Sequence, residues 1–296
     1  MGVTQLTSGT LYIIATPIGN LEDITHRAVR TLREVDLIAC EDTRHTRKLL
    51  DHFGISKPTV SYHEHNEQTR SVDLVAELQQ GRNIALVSDA GTPLIADPGY
   101  RLVARAREAG VRVVPIPGPS AALAALSASG LPIDSFLFYG FLPAKATQRR
   151  KALEEFRMFD MSIVLYEAPH RMLATLQEIG TVLGSRPIVL AREITKIHEE
   201  FLSGTAAELI EVLSQRDSVR GEFTIIVGRA ETIQQQESTI EEAVEELIRT
   251  GVGRMDALKQ VARQRGLSKR DVYKHVTERD QTERDQTERD QTEPRP

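Results

Sequence analysis

Between residues 10 and 228, short apolar runs alternate with stretches whose apolar residues recur every three or four positions. Apolar runs of four to six residues fit buried strands, and the three-to-four spacing fits helices with one face turned inward. The pattern predicts strands over 10–15, 36–40, 59–62, 83–88 and 111–116, with helices over 26–34, 44–52, 69–80 and 100–109 between them. After Pro117-Gly118-Pro119-Ser120, a small-residue helix over 121–129 opens a second series. Its strands fall at 135–141, 162–166, 187–192, 201–203 and 222–227, and its helices at 148–156, 170–182 and 206–214. Strands separated by helices of this length predict an α/β fold of parallel sheets covered on both faces. The expected organisation is two αβα domains over 1–117 and 118–232, a helical module over 238–276, and a tail over 277–296.

The tail repeats TERDQ three times, with no apolar residue, and reads as disordered. Residues 234–236 are three glutamines and read as a linker. Residues 254–276 carry seven basic and two acidic side chains in a chain whose net charge is −5, so an acidic body bears one basic module. Two short helices, separated at Gly266 with Ser268 placed to cap the second, resemble a helix-turn-helix. No run of 18 apolar residues appears, and the N-terminus lacks the basic and apolar regions of a signal peptide. A single cysteine, Cys40, excludes an intrachain disulfide. These features lead to the expectation of a cytoplasmic protein without a membrane span.

In an open α/β sheet, ligands bind beyond the C-terminal ends of the strands. Five loops directly follow strands of the first half: TPIGN, EDTR, HEHNE, SDAGTP and PGPS. Their Gly and Pro allow close backbone approach and rigid turns, and their acids favour a cationic ligand group. None contains Lys, and the chain has neither GxxxxGK[ST] nor GxGxxG, so a triphosphate is a poor fit.

The ordered stretches LYIIATPIGNLEDIT, CEDTR, SYHEHNE, LVSDAGTPLIADPG, PGPSA, GFLP, YEAPHR and AREITK carry a more specific signal. Over roughly residues 9–229 the chain resembles the bacterial small-subunit ribosomal RNA 2′-O-methyltransferases of the tetrapyrrole-methylase-like (class III) family. The resemblance implies two αβα domains with S-adenosylmethionine in the cleft between them, no metal, and often a homodimer. It places Asp89 near the cofactor's amino group and the backbone of Ala90, Gly91, Thr92 and Pro93 along the pocket. Gly118, Ser120 and Ala121 would meet the cofactor at the domain junction, and Tyr166, Ala168, Pro169, Glu222 and Phe223 would lie near the adenosine. The implied substrate is a decoding-centre cytidine of small-subunit RNA, within the assembled subunit. Ala96, Ala168 and Cys40 depart from the family pattern by small-for-small changes.

Methyl transfer from a sulfonium needs positioning and dryness more than strong catalysis, although a ribose hydroxyl gains from a base. Candidates for that base are Glu41, Asp23 and His63, with Asp42 expected to cap a helix instead. His63 and His65 share an i, i+2 spacing that could suit a metal, but no third ligand accompanies them. Candidate RNA contacts are Arg44, His65, Lys145, Arg149, Arg150, Arg171, Lys269 and Arg270. Two other readings remain open on the residues: a tetrapyrrole methyltransferase, and a non-catalytic nucleic-acid-binding regulator that acts through the C-terminal helices.

Overall fold

The computed structural model describes residues 8–229, 240–274 and 276; the glutamine linker and the TERDQ tail lie outside the described residues. The chain divides into two compact units, one reaching to Ala230 and the other beginning at Glu231. Both expected α/β layers fall within the first.

The first sheet contains β1 (Thr10–Ile14), β2 (Leu37–Cys40), β3 (Thr59–Ser61), β4 (Ile84–Val87) and β5 (Arg112–Ile116). Its strands are all parallel, in the order β3-β2-β4-β1-β5. The helices are α1 (His26–Glu34), α2 (Thr43–His52), α3 (Glu67–Gln79) and α4 (Tyr100–Glu108). β2 and β4 are buried along their whole length, as central strands between two helical layers must be. Alternate side chains then join opposite cores. Leu37, Ala39, Ile84 and Leu86 pack with Leu74 and Leu78 of α3 and Leu102 of α4. Ile38, Cys40, Ala85 and Val87 pack with Leu32 of α1 and Leu50 of α2. Because the sheet is parallel, the five strand-following loops all leave one edge.

The second sheet corrects the expectation of parallel strands throughout. It contains β6 (Phe136–Phe141), β7 (Ser162–Glu167), β8 (Ile188–Arg192), β9 (Glu200–Gly204) and β10 (Phe223–Val227), in the order β6-β7-β10-β8-β9. Only β6 and β7 pair in parallel; β10 runs antiparallel to both β7 and β8, and β9 runs antiparallel to β8. The cause is the helix-free segment 193–199, which returns the chain straight into β9. The next helix, α8 (Ala206–Ser214), brings it back to the edge where β8 ended, so β10 starts there and runs the opposite way. Helices α6 (Ala146–Phe156), α7 (Met172–Leu183) and α8 cover one face through Leu153, Leu176 and Leu209. The alanine-rich α5 (Ala121–Ala128) lies on the other face against Val164, Val189 and Ile226.

The second unit is described by itself. Helices α9 (Ile240–Arg249) and α10 (Arg254–Gln264) and a helical stretch over 269–274 share a core of Val244, Ala257, Leu258, Val261 and Val272. Gly266 takes φ +64°, and Leu267 N–H donates to the Ala262 carbonyl at 2.9 Å, which closes α10. Ser268 Oγ accepts from Asp271 N–H at 3.2 Å and caps the stretch that follows. Among the described residues no helix is long and apolar enough to cross a membrane.

Leu86 is 1% exposed at the centre of the first sheet. Leu86→Ala is expected to lose about 2–5 kcal/mol of stability by the cavity it opens, read as a lower midpoint in denaturant unfolding.

Candidate active site

The opening segment after β4 is tied down by its own backbone. Thr16 and Gly91 exchange hydrogen bonds of 2.8 and 3.0 Å, which joins the loop after β1 to the loop after β4. Thr16 Oγ1 donates to the Ser88 carbonyl at 3.0 Å, and Ser88 Oγ donates to the Gly91 carbonyl at 3.1 Å. Thr92 Oγ1 donates to the Pro119 carbonyl at 3.3 Å, which adds the loop after β5. Gly91 takes φ +84°, a left-handed conformation that Gly adopts without strain. Leu94 and Ala96 adopt φ +72° and +64°, and across the cleft Glu193 and Thr195 adopt +50° and +69°. Such conformations persist only where the surroundings dictate them, and they gather at functional sites.

These loops face the second sheet across a cleft of about 410 Å³. Its first wall is Ile18, Asp89–Thr92 and Ile95–Asp97; its second is built by Ser120, Ala121, Phe141, Tyr166–Pro169, Ala191, Ile194 and Glu222–Thr224. The reversed direction of β10 explains why the start of that strand meets the ends of β7 and β8. A bulge in β6 between Phe138 and Gly140, with Gly140 at φ +80°, precedes Phe141, whose ring lies 5.6 Å from that of Tyr166. Tyr166 Oη accepts from Ala122 N–H at 3.3 Å. Burial pushes the Tyr166 phenol up, and the nearby Asp97 adds to this, so it stays neutral.

Of the residues assigned from the resemblance to the cofactor, Asp89, Ala90, Gly91, Thr92, Ser120, Ala121, Tyr166, Ala168, Pro169, Glu222 and Phe223 line this cleft. Pro93 and Gly118 do not: Pro93 is buried, and a Cβ on Gly118 would lie 3.0 Å from Ala15 Cβ. Gly118 therefore serves a close approach between the loop after β5 and the end of β1. Asp89 Oδ1 accepts from Asp42 N–H at 3.2 Å. Glu222 pairs with Lys196 Nζ at 2.8 Å, and Lys196 also holds Glu193 at 2.9 Å.

The base candidates stand outside the lining. Asp23 is exposed in a 3-10 turn over Leu21–Asp23. Glu41 is half-buried; burial raises its carboxyl above the usual range, Asp89 and Glu64 reinforce this, and His63 opposes it. Asn66 receives His63 N–H on its Oδ1 at 2.9 Å and donates from Nδ2 to the Ser61 carbonyl at 3.1 Å. The same amide lies 3.3 Å from His63 Nε2. Asp42 caps α2 through Arg44 N–H at 2.8 Å, as expected, and the same carboxylate pairs with the Arg44 guanidinium. Those bonds hold Asp42 down at about 2.

His63 and His65 lie in the turn after β3 with ring centroids 5.9 Å apart. Among the described residues no group of three or more His, Cys, Asp or Glu side chains is placed to hold a metal ion.

Two of the RNA candidates need correction. Arg149 is 7% exposed; its guanidinium grips Glu178 through Nε at 2.8 Å and Nη2 at 3.1 Å, and Nη1 donates to the Ala144 carbonyl. Arg171 donates to the Leu142 carbonyl at 2.8 Å and lies 3.2 Å from Glu167, whose side chain is buried. Both arginines clamp the loop after β6 instead of facing solvent. Arg44, His65, Lys145, Arg150, Lys269 and Arg270 are exposed.

Asp97, at the edge of the quoted LVSDAGTPLIADPG stretch, is the site residue that sequence reading missed. Burial, reinforced by Glu41 and Asp89, pushes its carboxyl up to about 7. An Asp directly before Pro98-Gly99 has the composition of an ordinary turn, so residue type alone does not single it out.

Two facing α/β layers with a cleft between their strand edges define a two-layer α/β protein that binds its ligand among the loops of that cleft. The family model described as Tetrapyrrole (Corrin/Porphyrin) Methylases matches residues 10–210. Relatives named "Ribosomal RNA small subunit methyltransferase I" are 51% identical in Halalkalibacterium halodurans, over 90% of this chain and 93% of that protein. In Escherichia coli O157:H7 the identity is 55% over 74% of this chain and 77% of that one. The chain belongs to the tetrapyrrole methylase family, on the branch of the ribosomal RNA small subunit methyltransferase I proteins. Among solved structures, a diphthine synthase shares the fold with a TM-score of 0.59 at 16% identity, over 74% of this chain and 90% of that one. A uroporphyrin-III-C-methyltransferase from Thermus thermophilus does so with a TM-score of 0.54 at 20% identity, over 75% and 95%.

Glu167 is 2% exposed and accepts from Thr175 Oγ1 at 2.6 Å and from Ala168 N–H at 2.9 Å. Glu167→Gln removes the negative charge beside Arg171 and is expected to cost about 2–4 kcal/mol, seen as a lower melting temperature at pH 7.

Proposed function

We propose that this chain is an S-adenosylmethionine-dependent methyltransferase that methylates the ribose 2′-oxygen of a decoding-centre cytidine in small-subunit ribosomal RNA, in the cytoplasm. The carrying observation is identity near one half, over nine-tenths of the chain, to relatives named for small-subunit RNA methylation. The cleft fits the donor by its chemistry. Its lining contains no Lys, Arg or His, which disfavours a phosphate-bearing ligand. Ile18, Ile95, Phe141, Ile194 and Phe223 supply apolar surface, and Asp89 supplies a carboxylate for a cationic amino group. The volume of about 410 Å³ falls within the range of nucleoside-sized ligands.

When bound, S-adenosylmethionine supplies a methyl group already activated on sulfur, so the protein's work is placement and exclusion of water. The bridge between Thr16 and Gly91 holds the cofactor-side backbone, and Tyr166 with Phe141 walls the opposite side. Exposed Lys145, Arg150 and Lys151 at the start of α6 form a cationic patch for RNA phosphates, with Arg44 on the other layer; Lys269 and Arg270 offer a further contact from the helical module.

Labelled S-adenosylmethionine offered with assembled small subunits, naked small-subunit RNA and a tetrapyrrole precursor tests the reading. Label on a ribose 2′-oxygen of the decoding region is the expected result; label in the tetrapyrrole alone overturns it. Asp89→Ala is expected to weaken S-adenosylmethionine binding by about ten- to a hundredfold in titration calorimetry, by loss of one charge-assisted hydrogen bond, with the melting temperature nearly unchanged. Changing Lys145 and Arg150 to Gln together is expected to weaken RNA binding at every sequence and to reduce the slope of log affinity against log salt by about 1–2.

A further inference from the structure

Asp97 belongs to two cavities at once. With Ala96 it forms the wall common to the cleft above and to a second cavity of about 370 Å³, whose other walls are Glu64, Glu67, Pro98, Gly99 and Tyr100. The remaining carboxylates of the cleft have partners. Asp89 holds Asp42 N–H, Glu167 holds Thr175 and Ala168, and Glu222 holds Lys196. Asp97 makes no hydrogen bond or ion pair with any described residue.

Its backbone is nevertheless fixed. Ala96 is held at φ +64°, with its methyl against Gly140 of β6, where a Cβ would lie 3.7 Å away. Gly99 sits so tightly that an added Cβ would fall 2.9 Å from the Leu94 side chain. A half-buried carboxylate on a rigid loop, without a structural partner, in the wall between two cavities has the placement of a working acid–base group.

We propose that Asp97 is the proton acceptor of the methyl transfer, and that the acceptor hydroxyl reaches it through the second cavity; this rests on the function proposed above. The hydroxyl oxygen uses a lone pair to form the bond to the methyl carbon. The sulfur–carbon bond breaks, its electron pair stays on sulfur, and the sulfonium becomes a neutral thioether. The hydroxyl proton passes to Asp97, which becomes a neutral carboxylic acid and later releases the proton to water. Tyr100, 77% exposed at the rim of the second cavity, offers a ring on which an unstacked base can rest.

The charges that face Asp97 come from several elements. Glu41 and Asp89 stand on the first layer, and Glu64 and Glu67 stand beyond the second cavity, with Glu67 tied to Arg101. From the second sheet come Tyr166, Glu167 with Arg171, and Glu222 with Lys196. Burial above all, reinforced by Glu41 and Asp89, holds the Asp97 proton to about pH 7. A carboxyl with that value is neutral below pH 7 and can accept a proton above it. Its elevation also means that the folded protein binds a proton the unfolded chain releases, so folding stability falls as pH rises from about 4 to about 7.

The test compares the full-length protein with its Asp97→Asn variant. Wild-type kcat/KM on small-subunit RNA is expected to rise about tenfold per pH unit below about 7 and to level off above it. In the variant, kcat is expected to fall by about 10²–10⁴-fold and the pH dependence to vanish. Calorimetry is expected to show that the variant still binds S-adenosylmethionine, so that the loss falls in the step after binding. The variant is also expected to melt above wild type at pH 8, with the gap closing by pH 4, which reports a folded protein relieved of a strained charge. A variant that keeps wild-type kcat and pH profile overturns the assignment and leaves the function standing. A wild-type protein that binds S-adenosylmethionine but labels no RNA overturns the function, and with it this role.

Discussion

The cleft depends on a small knot of backbone hydrogen bonds at Thr16, Ser88 and Gly91. The two mutual bonds between Thr16 and Gly91 turn loops from adjacent strands into one piece of antiparallel structure beyond the end of a parallel sheet. Without such a tie, two loops rich in Gly and Pro would lose orientation, because nothing in a parallel sheet constrains what lies past its last hydrogen bond. With it, Asp89 to Asp97 becomes a wall with a fixed shape, and Thr92 extends the tie to the loop after β5 through Pro119. The positions of Asp89 and Asp97 both follow from this.

The second layer meets that wall by a different route. A reversal without a helix after β8 changes the direction of β9 and, one helix later, of β10. Glu222 and Phe223 therefore stand at the cleft at the start of a strand, beside residues that end strands. Had β10 run parallel to β7, these two residues would have been carried to the far edge of the sheet. Buried charges hold the layer's own loops: Arg149 on Glu178, and Arg171 between Glu167 and the carbonyls after β6. Charge that looked available to an RNA phosphate is used internally to hold the loop after β6.

Much of the first layer was legible because apolar runs of four to six residues, spaced by amphipathic helices, leave few alternatives to a parallel sheet. The strand directions of the second layer were not legible, since alternation of strand and helix is silent about a return made without a helix. Asp42 could be read as a cap from its place before α2, and the helical termini at Gly266 and Ser268 from residue type alone. The burial of Arg149 could not: three consecutive basic residues at a helix start look alike in sequence, and only the packing of α6 on α7 selects which one turns inward. Asp97 was hidden for a related reason, because an Asp before Pro-Gly has an ordinary turn explanation, and its lack of a partner is a property of three dimensions.

Among the described residues, four other than glycine hold left-handed backbone, two on each side of the cleft: Leu94 and Ala96, Glu193 and Thr195. Each such residue carries a conformational penalty of about 1–2 kcal/mol. Glycine at those positions would remove it and would at the same time give the loops a freedom they now lack. The sequence has instead kept side chains that resist their own geometry, so the loops stay shaped only while the two cores hold them. The cleft is therefore a gauge of the fold's integrity: loosening either core would release these four residues and change the shape of the walls.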